Sequence, residues 1–350
     1  MLQAPRIGDL PAGPLDAITD LPGVTVGHCT LADGPVQTGV TMVRPHAGDL
    51  FMQKVPAGVA VINGFGKSTG LVQLQELGVL ETPIALTNTF AVGSVATELV
   101  RDAVAAQPEI GRSLPTANPL VFECNDGHLN DLQAFAVTEA HASAALAATR
   151  ASFDQGSVGA GRGMSCFGLK GGIGSASRCV RTPVGGYTVG ALVLANFGRP
   201  PALTLAGRRI GPALAARLGA GPAPTERGSI ILLIATDAPL DARQLRRTAL
   251  RAGAGLARTG SDFGHGSGDI ALAFSTAYTV PQGGVGRLQA VSLLHEGLLD
   301  PLFEATAQAT EQAIVHALFA AESVTGRDGH HRLALTALAP DWAALMQTAS

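Results

Sequence analysis

The chain has 350 residues, 46% of them hydrophobic and 15% charged, with a net charge of −3 and a mean hydropathy of +0.27. This length suits one large α/β domain, or two smaller ones, with a substantial core, and the charge gives no bulk attraction for nucleic acid or anionic lipid. No uncharged apolar run reaches the ~18 residues of a membrane span, and Met1–Leu10 lacks the basic-then-apolar pattern of a signal peptide.

In chain order, aliphatic runs bounded by Gly, Pro, Asn or Asp predict strands at Val24–Val26, Val40–Val43 and Gly58–Ile62. A helix follows from Ser68 to Leu77, stopped by Gly78. A strand at Ile84–Thr87 precedes a helix from Ser94 to Ala105, and Leu120–Glu123 reads as another strand. The Ala-rich stretch from Asp131 to about Thr149 reads as a helix, and Thr188–Ala195 as a strand. Phe197–Gly228 is dense in Gly, Pro and Arg; it holds a short helix at Pro212–Leu218 and ends as a mobile loop. One of the strongest β-runs, Ile230–Thr236, begins directly after it. Asp241 and Gln244 form a variant capping box for a helix from Ala242 to about Arg258, with Leu245, Ala249, Ala252 and Leu256 on one face. A strand at Asp269–Thr276 follows. Asp300 reads as the N-cap of a last long helix with Pro301 at its first position, and Phe303, Ala307, Ile314 and Leu318 form its stripe. Several strands are apolar on both faces, so each is expected to lie between another sheet and a helix layer.

Polar residues at the ends of these strands carry the candidate chemistry. Ser229 stands where a loose connector runs into a buried strand, a place to generate an N-terminal nucleophile; a plain linker would look the same. In Gly264-His-Gly-Ser-Gly-Asp269, Ser267 and Asp269 point to the same side of an extended segment. A hydroxyl and a carboxylate so placed can relay a proton, or simply close a Gly-rich turn. Glu123 ends its strand before Asn125-Asp126-Gly127, and Asn196 ends the run Val189–Ala195; each fits either a site mouth or a turn. Gly64–Gly70 lacks the G-x-x-x-x-G-K spacing of a phosphate loop, so it reads as a turn into a helix. The Gly-dense stretch Gly161–Arg178 matches neither a phosphate loop nor a dinucleotide fingerprint. His330 and His331 point apart in a strand and have no third ligand, so no metal site is expected.

Taken in order, these stretches resemble the self-processing L-aminopeptidase/D-esterase (DmpA-type) family, which includes the β-peptidyl aminopeptidases. The resemblance is carried by Ile18–His28, Ala57–Gly64, Glu81–Thr89, Glu123 with Asn125-Asp126-Gly127, Lys170–Gly174, Val189–Gly198, Gly228-Ser229-Ile230, Ala235–Pro239 and Gly266–Ile270. It implies a four-layer α/β/β/α sandwich resembling Ntn hydrolases with different connectivity. It also implies one catalytic domain, 1–350, that cuts itself between Gly228 and Ser229 into an α chain, 1–228, and a β chain, 229–350. Ser229 is then the nucleophile, Ser267 and Asp269 its partner hydroxyl and carboxylate, and Asn196 the oxyanion-side asparagine. Glu123 receives the substrate's free amine; Asn125 stands where some relatives have Tyr. A free α-amino group has a pKa near ~7.7–8.0, well matched to general-base work at neutral pH. No metal or organic cofactor is required.

The expected substrate is a short peptide, amino-acid amide or ester. The resemblance further implies a homo-oligomer of processed units, a tetramer of heterodimers, and the scarcity of charge agrees with surface covered by neighbouring subunits. Cys29, Cys124, Cys166 and Cys179 form no C-x-x-C pair, so reduced thiols in a cytoplasmic protein are expected. Two related enzymes stand beside this reading, an oligoamide hydrolase and an acyl transferase of the ornithine acetyltransferase type; both typically use Thr where this chain has Ser229. An unprocessed small-molecule binding protein is the reading from another class.

Overall fold

The computed structural model describes residues 3–219, 228–283 and 288–348. Its principal strands are β1 (Thr25–Asp33), β2 (Val36–Arg44), β3 (Gln53–Gly64), β4 (Ile84–Asn88), β5 (Leu120–Cys124), β6 (Gly172–Thr182), β7 (Gly185–Asn196), β8 (Ser229–Thr236) and β9 (Gly268–Ser275). The helices are α1 (Leu71–Leu77), α2 (Val92–Ala106), α3 (Glu139–Ala147), α4 (Gly211–Arg217), α5 (Ala242–Arg258) and α6 (Asp300–Ala320), followed by two short C-terminal helices.

Strands apolar on both faces must be covered on both, and the topology does this with two stacked sheets. One sheet runs β1-β2-β4-β5, and the other runs β3-β9-β8-β7-β6 with short edge pieces on β3. In β8, Ile230, Leu232 and Ile234 pack with α5 and α6, while Ile231, Leu233 and Ala235 pack between the sheets. The far face of the smaller sheet, through Val40 and Met42, meets Val95 and Leu99 of α2 and Ala142 and Ala145 of α3. The layers are therefore α/β/β/α, as expected. β8 and β9 run parallel, whereas β7–β8 and β9–β3 are antiparallel. The mobile loop expected at the end of Phe197–Gly228 falls on 220–227, outside the described residues.

Helix α5 has the predicted limits because its signals are local. The Asp241 side chain accepts from the Gln244 N–H at 2.7 Å, and Gln244 Oε1 accepts from the Asp241 N–H at 3.1 Å. Leu245, Ala249, Ala252 and Leu256 are fully buried. Asp241→Ala should cost about 1 kcal/mol, the usual price of a lost N-cap. Urea unfolding should show this as a lower midpoint at unchanged slope.

Other elements differ from expectation for identifiable reasons. The stretch 131–149 is not one helix: Asp131 caps a 3-10 turn at Leu132–Ala134, Phe135 turns left-handed at φ 44°, and α3 begins only at Glu139. Helix α1 starts at Leu71, after Gly70 at φ 89°. Leu299 rather than Asp300 occupies the N-cap of α6, so the Asp-Pro signal lies one residue inside the helix. Strand β6 was not foreseen, because its start reads Gly-Ile-Gly-Ser-Ala-Ser. Its small residues answer to α6: a Cβ on Gly174 would lie 1.9 Å from the Ala313 carbonyl oxygen. The Ser175 hydroxyl is satisfied by donating to the Ala191 carbonyl at 2.7 Å.

Candidate active site

Three strand ends meet at Ser229. It opens β8, opposite Asn196 at the end of β7 and opposite Gly268 at the start of β9. Its side chain is buried to 7% exposure, yet it lines a cleft. The Gly268 N–H is shared between the Ser229 hydroxyl, at 3.1 Å, and the Gly228 carbonyl oxygen, at 3.2 Å. One donor thus faces both the nucleophile and the carbonyl of the bond preceding it. Gly228 has no room for a side chain: a Cβ would fall 2.4 Å from Phe197 Cα and 2.6 Å from the Asn196 carbonyl oxygen.

Ser267 and Asp269 share a face as expected, and their side chains are fully buried. The Ser267 hydroxyl donates to Asp269 Oδ1 at 2.5 Å. Asn63 anchors this loop by donating its side-chain amide to the carbonyls of Gly264, at 2.8 Å, and Ser267. Neither Ser267 nor Asp269 is part of the cleft wall; they flank Gly268 beneath it.

Asn196 is oriented from both ends. Its Oδ1 accepts from the Ser165 N–H at 2.9 Å, and its Nδ2 donates to the Asn125 carbonyl at 3.0 Å. An amide nitrogen carries two hydrogens, so one remains for a ligand. Asn125 itself closes its turn, its side chain accepting from the Gly127 N–H at 2.9 Å. Its backbone therefore holds Asn196 in place.

The cleft has a volume of about 1280 Å³ and brings Glu123, Asn125, Asn196 and Ser229 onto one wall system. Glu123 is 4% exposed at the end of β5. Its carboxylate accepts from the Lys67 N–H at 2.7 Å and from the Thr89 hydroxyl. The Lys67 ammonium turns away, 4.4 Å over the Phe65 ring. Among the described residues no cation pairs with Glu123, so a carboxylate stands in the cleft with two neutral donors and capacity for a charged one.

Several site groups gave no signal in the sequence reading. The Gly268 and Lys67 donors are backbone N–H groups, silent in side-chain identity. Thr89 comes to the cleft from a 3-10 turn, Ser165 and Arg332 from short hairpins, and His128 from the turn after Glu123. The Gly64–Gly70 turn was recognised as a turn, and Lys67 gains its role from where that turn meets β5. Cys124 and Cys166 are buried thiols, whereas Cys179 is only half-buried.

Comparison with known proteins agrees with this architecture. Residues 16–332 match the model of peptidase family S58. The chain is 40% identical to the β-peptidyl aminopeptidase BapA of Sphingosinicella microcystinivorans, over 94% of this chain and 89% of that one. A crystal structure of a Pyrococcus horikoshii OT3 protein superposes with a TM-score of 0.92 and 45% identity, covering 98% of this chain and 97% of the other. The L-aminopeptidase D-Ala-esterase/amidase of Ochrobactrum anthropi gives a TM-score of 0.87 and 34% identity, with 98% of each chain covered. That enzyme is described as a prototype of the serine aminopeptidases and a variant of the Ntn hydrolase fold. With this fold, these strand-end residues and a family match over most of its length, the chain belongs to peptidase family S58.

Proposed function

We propose that the protein is an N-terminal nucleophile serine aminopeptidase and amidase that acts on short peptides, amino-acid amides or esters bearing a free amine. The observation that carries this reading is a cleft holding Ser229 beside a shared backbone donor, together with Glu123, which has no cation partner among the described residues. In the uncut chain the Ser229 hydroxyl attacks the Gly228 carbonyl, and the Gly268 N–H stabilises the oxyanion. Collapse of that adduct breaks the Gly228–Ser229 C–N bond and frees the Ser229 amine, and water then hydrolyses the ester to give the Gly228 carboxylate and restore the Ser229 hydroxyl. In turnover that amine takes the proton of the Ser229 hydroxyl, as the base of an N-terminal nucleophile does. Substrate acylates Ser229, and water releases the acid. Asn196 and the Gly268 N–H hold the oxyanion; a lost donor of that kind costs about 10²–10³ in rate. Ser267, hydrogen-bonded to Asp269, orients the amine and passes its proton.

The same reading includes processing into chains 1–228 and 229–350 of a single catalytic domain, and a homo-oligomer of processed units in the cytoplasm. The low charged content supports covered surface. Among the described residues no helix is long and apolar enough to cross a membrane. Oligoamide hydrolysis and acyl transfer share this architecture, but nothing in the cleft favours either over aminopeptidase action.

Glu123 supplies the test. An ammonium on its carboxylate gains a charge-assisted hydrogen bond of roughly 1.5–3 kcal/mol. The wild type should therefore cleave an amino-acid p-nitroanilide far faster than its N-acetyl form, which lacks the charge and adds bulk. Glu123→Gln should reduce the free-amine rate by about ten- to a hundred-fold while self-cleavage, which involves no free amine at that position, continues. Equal wild-type rates on both substrates would remove the aminopeptidase reading in favour of a general amidase.

A further inference from the structure

The charges lining the cleft do not balance around Glu123. Among the described residues its wall carries Lys67, Arg199 and Arg332 but no carboxylate other than Glu123. Two of the three cations are occupied: Lys67 lies over Phe65, and Arg199 pairs with Asp262 at 2.9 Å. Arg332 is different. Among the described residues it has no carboxylate partner, although its guanidinium is partly buried. Burial pulls its pKa down with no neighbouring acid to offset the effect. An arginine kept in a cleft without a counter-ion pays desolvation for a partner that arrives from outside.

The surroundings fix this guanidinium. Arg332 lies in a small hairpin, Val324–Thr325 with His331–Arg332, that docks on the turn following Glu123. Arg327 Nε donates to the Gly127 carbonyl at 2.7 Å, and His330 Nδ1 donates to the His128 carbonyl at 2.8 Å. The His128 and His330 rings stack with centroids 4.7 Å apart. Arg332 Nε donates to the Ser165 hydroxyl at 3.2 Å, and Nη1 to the His331 carbonyl at 3.3 Å. The Ser165 N–H in turn donates to Asn196 Oδ1. Ser165 therefore links the guanidinium to the oxyanion-side amide, and the Nη2 edge has no partner among the described residues. His128, also in the cleft wall, is held neutral to about pH 4 by burial, with Arg332, His330 and Arg327 adding to the effect. Among the described residues, this end of the cleft presents the Arg332 guanidinium and no carboxylate in its wall.

We propose that Arg332 receives the carboxylate of a zwitterionic substrate whose ammonium group lies on Glu123, so that the enzyme favours free-acid dipeptides over their C-terminal amides. Ammonium and carboxylate then bracket the scissile carbonyl between two fixed charges of opposite sign. A short peptide satisfies both, and a longer one moves its carboxylate out of reach. An arginine edge suits a carboxylate geometrically in a way a lysine does not. The inference rests on Glu123 as the amine receptor and Ser229 as the nucleophile.

The test uses processed, full-length enzyme and dipeptides Xaa-alanine, with Xaa as L-, D- or β-alanine, each as free acid and as C-terminal amide. For whichever Xaa is cleaved, the wild type should show a kcat/KM for the free acid roughly ten-fold or more above that of the amide, the range for a hydrogen bond to a charged group. The difference should lie mainly in KM, as for binding common to ground and transition states. Arg332→Gln should bring the acid-to-amide ratio to near one, and Arg332→Lys should restore part of it. A wild-type ratio near one, with free-amine dependence intact, overturns the proposal and leaves the aminopeptidase reading standing. A glutamine variant that loses both substrates by the same factor also overturns it, because a structural role would do that. Equal cleavage of N-acetyl and free-amine substrates removes the reading beneath it, and this proposal with it.

Discussion

Ser229→Ala is expected to give one folded 350-residue chain with no measurable hydrolysis, and the wild type is expected to separate under denaturing conditions into chains 1–228 and 229–350. In the proposed scheme the hydroxyl attacks both the Gly228 carbonyl and the substrate, so its removal would stop both reactions. The base, moreover, exists only after cleavage. In the uncut chain the Ser229 nitrogen is a peptide amide and has no basicity to offer. Loss of a nucleophile with its base costs about 10⁶ in turnover in a serine protease, which places the variant below ordinary detection. Folding should survive: among the described residues this hydroxyl has one hydrogen bond, from the Gly268 N–H, and a lost hydrogen bond costs about 1 kcal/mol. That donor still has the Gly228 carbonyl at 3.2 Å. Intact mass, a thermal melt and p-nitroanilide turnover on the two proteins check the three statements. A fully active wild type found as one uncut chain would sink the whole scheme.

How much of this was visible in the sequence depends on whether the cause was local. Helix α5 was legible to its ends because Asp241, Gln244 and an apolar stripe all lie within one turn pattern. Strand β8 was legible because both of its faces are aliphatic. Strand β6 was not, because the reason for Gly174 is the backbone of α6, more than a hundred residues away in sequence, and the Ser175 hydroxyl is met by the Ala191 carbonyl of the next strand. The Asp131–Thr149 stretch misled because alanine content argues for helix throughout, while a left-handed Phe135 breaks it. The candidate site divides in the same way. Ser267 and Asp269 announced their shared face by spacing alone, and the structure joins them by a hydrogen bond. Asn196 and Glu123 were visible as strand ends, but either could have been a turn. Only the pairing of Asn196 with Ser229, and the meeting of Glu123 with the Lys67 turn, sets them around one cleft. Arg332 carried no local mark at all, since its position follows from a hairpin docking on a turn two hundred residues earlier.

Ser267→Ala and Asp269→Asn should each lower turnover by about 10² or more, the range for losing a positioned proton-transfer partner. The hydrogen-bond direction explains why both matter. Ser267 spends its only proton on Asp269 Oδ1, so its lone pairs are what it can offer to a neighbouring donor. On the proposed cleavage of the Gly228–Ser229 bond, the new amine of Ser229 would lie at the head of β8, opposite Gly268, with Ser267 the next residue along. A hydroxyl accepting from that amine fixes which lone pair faces the Ser229 oxygen. When the amine gains the proton of the nucleophile, the Asp269 carboxylate behind Ser267 stabilises the charge. Ser267→Ala removes the acceptor; Asp269→Asn keeps a hydrogen-bond acceptor but removes the charge. The alanine variant should therefore lose turnover across the pH range, and the asparagine variant should lose most where the amine must hold its proton. Because both side chains are fully buried, thermal melts must accompany the rates, so that a folding defect is separated from a chemical one. Self-cleavage should slow in both variants, since the same oxygen attacks in both reactions. If both processed and turned over at wild-type rates, the segment from Gly264 to Asp269 would be a structural turn, and the proton path would have to run through the Ser229 amine alone.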